Sequence, residues 1–268
     1  MEGDEPIRIR RGMLRLVIAS TAIQVVALVA VGPGDDVLAA GSTARHAFST
    51  LEMVLVVGLG VLSWRTVRWS RTIGDDQTAI AATLVFASLV LCGLGDLVNR
   101  NYLERSFEFD DVIRHSHLIT SIWCFLPGYA LVIWAHRRVT RDAVSARTAA
   151  TEVVVAAAVG ALVHLVGRDP AVAAYPSTMM LAYTVVLAVL AVSSLWLVRR
   201  FGPSAAALPV AGALLAVVAD LMIAELWIRR DAYPVVEHAN WIVYFASLAL
   251  IQQLPFVVTQ RTRELEPV

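Results

Sequence analysis

Lysine is absent from this sequence, and all 22 of its basic side chains are arginine. A retinal pigment needs a lysine amine for its Schiff base, so that class is excluded. Charge of either sign is scarce: 16% of residues are charged, against about a quarter in ordinary soluble domains. Basic and acidic residues balance at 22 each, which leaves no electrostatic footprint for a nucleic-acid partner. There are only two cysteines, Cys92 and Cys124, both inside apolar runs; they read as small buried hydrophobes rather than a disulfide. No CxxC pair, histidine-rich tract, GxGxxG turn or phosphate loop occurs. No cofactor is therefore expected, and no local ligand spacing supports a metal.

What is present is apolar length. Of 268 residues 58% are hydrophobic, and the mean hydropathy is +0.68. A spanning helix needs about 20 mostly apolar residues, so this composition matches eight spans and excludes a soluble enzyme, a disordered chain or a disulfide scaffold. The expected fold is all-α, a polytopic membrane helix bundle. Its spans lie near 13–31, 47–64, 78–98, 116–135, 149–166, 178–198, 204–228 and 237–258 of one integral membrane domain covering 1–268, with short tails at about 1–12 and 259–268. Val37 to Gly41 loosely resembles a signal-peptidase site, but it follows the polar stretch Gly34-Asp35-Asp36, and an uncleaved first span is the expectation.

Arginines orient the chain. Fifteen of the 22 fall at the ends and in the even-numbered connections, so this face is expected to be cytoplasmic, with both termini on it, in the cell membrane. Two stretches resemble each other: Leu91 to Asp96 followed by His115-Ser116-His117, and Leu215 to Asp220 followed by Glu237-His238-Ala239-Asn240. Asp96 and Asp220 are four spans apart, which suggests two parallel four-helix repeats.

Ionisable residues inside a span cost roughly 2.5–3.5 kcal/mol on insertion scales and usually face the protein interior or a wet cavity. With this topology Asp96, Asp220, Glu52, His115, His117, His164, His238 and Asn240 all fall in the outer half, and the inner half reads as almost wholly aliphatic. Asp96 and Arg100, like Glu225 and Arg229, are spaced i,i+4 as interfacial ion pairs would be. Asp220 has no arginine at such a spacing, which makes it the foremost functional candidate. His115 and His117 read first as flanking the fourth span. The seven tryptophans, mostly near span ends, read as an aromatic belt; Tyr129, Tyr183 and Tyr244 are assigned no role, though each could hydrogen-bond inside the bundle.

Leu94-Gly95-Asp96-Leu97 and the run Gly212-Ala213-Leu214-Leu215 through Asp220 to Ala224 resemble the two hallmark stretches of the YhhN-type lysoplasmalogenase family. Leu181 to Leu187 is similar to its sixth-span tyrosine stretch, and Tyr244 to Gln252 to its terminal segment. The likeness covers about residues 78–258. The sequence departs from the pattern at Ala219, where the family has serine, at Gly128-Tyr129, where it has Gly-His, and in lacking a Lys-Pro in the second span. The resemblance implies an eight-span hydrolase that cleaves the vinyl ether of a lysoplasmalogen-like membrane lipid or lysolipid. Such chemistry protonates carbon and captures the oxocarbenium ion with water. It needs one carboxyl group that carries a proton and one that does not, and two carboxylates sharing a low-dielectric site can supply them. Asp96 and Asp220 are by hypothesis the catalytic pair, with roles not separable; Glu52, His115, His117, His238 and Asn240, placed in the same half by the topology, are candidate proton relays or polar substrate contacts.

Two other readings stay open. Trp241 and Tyr244, one turn apart, and the charged tail Gln260 to Glu266 fit loosely with a membrane sensor or ligand-binding module without an output domain. A transporter with a midplane carboxylate pair is disfavoured by the outer-half placement and by the expectation of unbroken helices. Oligomeric state is not legible.

Overall fold

A computed structural model describes residues 4–31, 43–100, 102, 118–168, 170, 172, 174–224 and 235–265. These residues contain no strand, and eight of their helical stretches are long and apolar enough to cross a membrane. The protein is a multi-pass helical membrane bundle. Its helices are α1 (Glu5–Val31), α2 (Thr43–Ile73), α3 (Asp76–Asn99), α4 (Leu118–Thr140), α5 (Ala146–Gly167), α6 (Ala174–Phe201), α7 (Pro203–Met222), α8 (Val235–Ile251) and α9 (Leu254–Leu265).

On the arginine-rich face the turns are tight, and the sequence explains each. Gly74, at φ +78°, ends α2 in a backbone region that side chains disfavour. Asp75 then caps α3 by accepting from Gln77 N at 3.2 Å and Thr78 N at 3.1 Å. Ser145 caps α5 through Thr148 N. Gly202, at φ +81°, alone separates α6 from α7, and Pro203 opens α7 where its missing N–H costs no helical bond.

Packing repeats between the halves. α1 lies on α2, α2 on α3 and α3 on α4; likewise α5 lies on α6, α6 on α7 and α7 on α8. Between the halves α4 packs on α6, α1 on α8, and α9 on α3. Small residues set the closest approaches, as expected where dispersion rather than water drives helix association. A Cβ on Gly128 would lie 2.9 Å from Cys92 Sγ, and one on Gly160 the same distance from the Thr184 carbonyl oxygen. The last span is the most enclosed, 78% of it buried, whereas α5 is peripheral at 17%.

That last span is broken, contrary to the sequence expectation. α8 stops at Ile251 and α9 begins at Leu254. Pro255 supplies no N–H to continue the ladder, and a Cβ on Gly212 of α7 would sit 2.6 Å from Ile251 N, so α7 backs directly onto the break. Two buried amides lie at the break and tie it to its surroundings. Gln252 accepts from Ser63 Oγ at 2.5 Å and donates to the Val85 carbonyl at 2.9 Å, while Gln253 donates to the Ala249 carbonyl at 3.3 Å. With His136 and Ser193, paired at 2.9 Å between α4 and α6, these form a polar layer in the half expected to be aliphatic. The aromatic belt also needs correction: Trp64, Trp123 and Trp134 are exposed, but Trp69, Trp196 and Trp241 are buried. Trp227 lies outside the described residues.

Candidate functional site

A cavity of about 260 Å³ lies between α3, α4, α5, α6, α7 and α8. Asp96 of α3 and Asp220 of α7 both line it. Phenols hold these carboxylates. Tyr129 of α4 donates to Asp220 Oδ2 at 3.2 Å, Tyr183 of α6 to Asp220 Oδ1 at 3.0 Å, and Tyr244 of α8 to Asp96 Oδ2 at 3.0 Å. The arrangement is reciprocal: the fourth helix of each half donates a phenol to the aspartate on the third helix of the other. Tyr129 and Tyr183 stack with centroids 6.0 Å apart, and Phe125 meets Tyr244 edge to face. Apolar residues form most of the remaining wall. Val159 and Val163 of α5 and Leu221 of α7 line the cavity while standing half exposed on the bundle's apolar exterior, so the cavity reaches the lipid-facing surface.

Asn240 also lines the cavity, and its Nδ2 donates to the Ala219 carbonyl at 2.5 Å. It ties α8 to α7 one residue before Asp220.

Glu52 and His238 belong to a second, contiguous cluster. Arg100 Nη1 lies 2.7 Å from Glu52 Oε2 and 2.8 Å from Glu237 Oε1, and the guanidinium sits 4.6 Å over the Trp241 ring. The i,i+4 spacing therefore does not exhaust Arg100: it grips acids on α2 and α8 rather than serving Asp96 alone. Gln24 Nε2 donates to Glu52 Oε1 at 2.5 Å. Gln24 Oε1 is then turned toward His238 Nδ1, also at 2.5 Å, and accepts from it. Arg100 and Glu237 line the cavity as well, so the cluster forms its polar end.

His115, His117, Glu225 and Arg229 lie outside the described residues. His164 faces Ser177 at 3.3 Å on the peripheral α5–α6 pair and does not line the cavity. Among the described residues no three of His, Cys, Asp and Glu converge as metal ligands. Sequence reasoning left the three tyrosines able to hydrogen-bond inside the bundle without naming the aspartates as their acceptors, and it missed Gln24 and the hub role of Arg100. The tyrosines carried a signal, being polar hydroxyls within apolar runs that must find partners away from water. No family model, curated protein or solved structure matches the chain.

Proposed function

We propose that the protein is an intramembrane hydrolase of single-chain, lysoplasmalogen-like lipids, acting at the Asp96–Asp220 pair. One observation carries the reading: two aspartates from different halves line one apolar cavity that reaches the lipid-facing surface. A lipid chain would lie along the groove of Val159, Val163 and Leu221, with its headgroup toward Arg100, Glu237 and Asn240. The vinyl ether, one bond below the glycerol, then falls beside the carboxylates.

The chemistry needs nothing more. One carboxylic acid gives its proton to the vinyl carbon remote from oxygen, leaving an oxocarbenium ion that the carboxylates stabilise. Water adds to that ion and yields a proton to the carboxylate, and the hemiacetal collapses to a fatty aldehyde and the glycerol alcohol. Tyr129, Tyr183 and Tyr244 position the carboxylates. The arginine-rich face is cytoplasmic in this reading, in the cell membrane, which puts the cavity in the outer half.

The test is fatty aldehyde release from a lysoplasmalogen by purified protein in detergent, read by mass spectrometry. Wild type releases aldehyde, and Asp96→Asn and Asp220→Asn insert normally but release none. An active Asn variant at either position would refute the pair. A second reading, a ligand-binding sensor, draws on the last span, which carries Trp241 and Tyr244 into the cavity wall and continues through its break into α9. Folded wild-type protein that binds lysolipid without turnover would favour it.

A further inference from the structure

At the opposite, arginine-rich end a second cleft of about 360 Å³ opens between the start of α1, the end of α2 and α9, lined by Arg10, Trp69, Phe256 and Thr259 among others. It lies apart from the aspartate cavity and does not depend on the hydrolase reading. Its cation is fixed in place. Arg10 Nε donates to Gln253 Oε1 at 3.1 Å, and the guanidinium lies 5.7 Å over the Phe256 ring, which itself stacks on Trp69 at 5.2 Å. Gln253 is buried at the break of the last span and is held by its own bond to the Ala249 carbonyl. Arg10 is thus oriented through Nε and one ring face. Among the described residues neither of its Nη groups has an acceptor, and the residue is exposed.

Two of the described acids at this end, Glu5 and Asp75, have partners of their own. Glu5 faces Arg65 at 3.4 Å, and Asp75 caps α3 and accepts from the Thr78 hydroxyl, beneath Thr259. Arg8 and Arg11, both exposed, flank Arg10 on α1. A guanidinium held by one edge and one face, with its two remaining N–H pairs presented to an open cleft, matches a phosphate group geometrically as well as electrostatically. Basic pockets between spans at a cytoplasmic face suit anionic headgroups, and Trp69 and Phe256 give an apolar wall for the adjoining glycerol and chain.

We propose that this cleft binds the phosphate of an anionic phospholipid from the leaflet at the arginine-rich face. The full chain is delipidated in dodecyl maltoside, and its thermal unfolding is followed by tryptophan fluorescence during titration with phosphatidylglycerol, phosphatidylcholine or inorganic phosphate. Phosphatidylglycerol raises the midpoint and phosphatidylcholine does not. Arg10→Gln weakens the apparent affinity about tenfold, the scale of one charge-assisted bond, while Arg11→Gln, which removes the same charge, leaves it unchanged. If Arg10→Gln unfolds without lipid, Arg10→Lys takes its place, since it keeps the charge but not the fork, and a several-fold loss is expected. Equal weakening by the Arg10 and Arg11 variants would reduce the effect to bulk charge and overturn the site. Protection by inorganic phosphate equal to that by phosphatidylglycerol would overturn the lipid as occupant.

Discussion

Replacing Arg100 by leucine tests the polar end of the cavity most directly. The guanidinium lies 2.7 Å from Glu52 and 2.8 Å from Glu237, whose side chains are 3% and 14% exposed, and it is itself 9% exposed. Leucine removes the cation and leaves one acid, Glu52, buried and a second, Glu237, with little access to water. Breaking a buried ion pair on one side costs about 3–5 kcal/mol, and the lost contact with Trp241 adds about 0.5–2 kcal/mol where the pair is desolvated. Arg100→Leu is therefore expected to lose at least about 3 kcal/mol of unfolding free energy, measured by titrating sodium dodecyl sulfate into mixed micelles and following tryptophan fluorescence. The compensated variant, Arg100→Leu with Glu52→Gln and Glu237→Gln, removes the stranded charges. It should recover to within about 1–2 kcal/mol of wild type, because exchanging a whole buried charge cluster for neutral groups is often close to neutral. The Gln24 bond survives in it, since a glutamine oxygen at position 52 still accepts from Gln24 Nε2. A loss under about 1 kcal/mol for Arg100→Leu, or a triple variant no more stable than the single one, would refute a buried, mutually dependent cluster.

Gly212→Ala would press a Cβ to 2.6 Å from Ile251 N and 2.9 Å from Leu250 Cβ. The same unfolding assay should show about 1–3 kcal/mol of destabilisation from overpacking, whereas Gly60→Ala, with nothing within 4 Å, should be neutral or slightly stabilising. Tyr129→Phe and Tyr183→Phe each strip one Asp220 oxygen of its donor at nearly constant volume. Each should lower kcat for aldehyde release about tenfold, the scale of a hydrogen bond to a charged group, with KM little changed; a KM effect alone would mark them as binding residues. Val163→Phe, at a half-exposed position of α5 that lines the cavity, should raise KM for lysolipid severalfold while the protein still unfolds cooperatively. Unchanged lysolipid kinetics would place the substrate elsewhere.

The number and class of the spans were legible because apolar length is a one-dimensional property, and a bilayer leaves helices as almost the only solution. The helices overrun the apolar runs chiefly on the arginine side, where α1 begins at Glu5 and α2 continues to Ile73; long arginine side chains let a helix extend through the interface without burying charge. The break in the last span was less visible. Pro255 alone is a weak signal, and what fixes the break is Gly212 of another helix lying against Ile251 N, a contact no local pattern contains. The site divides along the same line. Asp96 and Asp220 were identified by the cost of a carboxylate in a span, and both line the cavity. Their bonds were not, because which acceptor a tyrosine within an apolar run reaches is fixed only when helix packing decides which way it faces. Spacing offered Arg100 one partner, Asp96, but the guanidinium grips Glu52 from α2 and Glu237 from α8, 48 residues before it and 137 after it. In this fold the expensive residues are readable one at a time, whereas the bonds that make them affordable cross between helices distant in sequence. A variant that leaves every span apolar and long enough can therefore still impair the site, as the Arg100 and Tyr129 substitutions are expected to do.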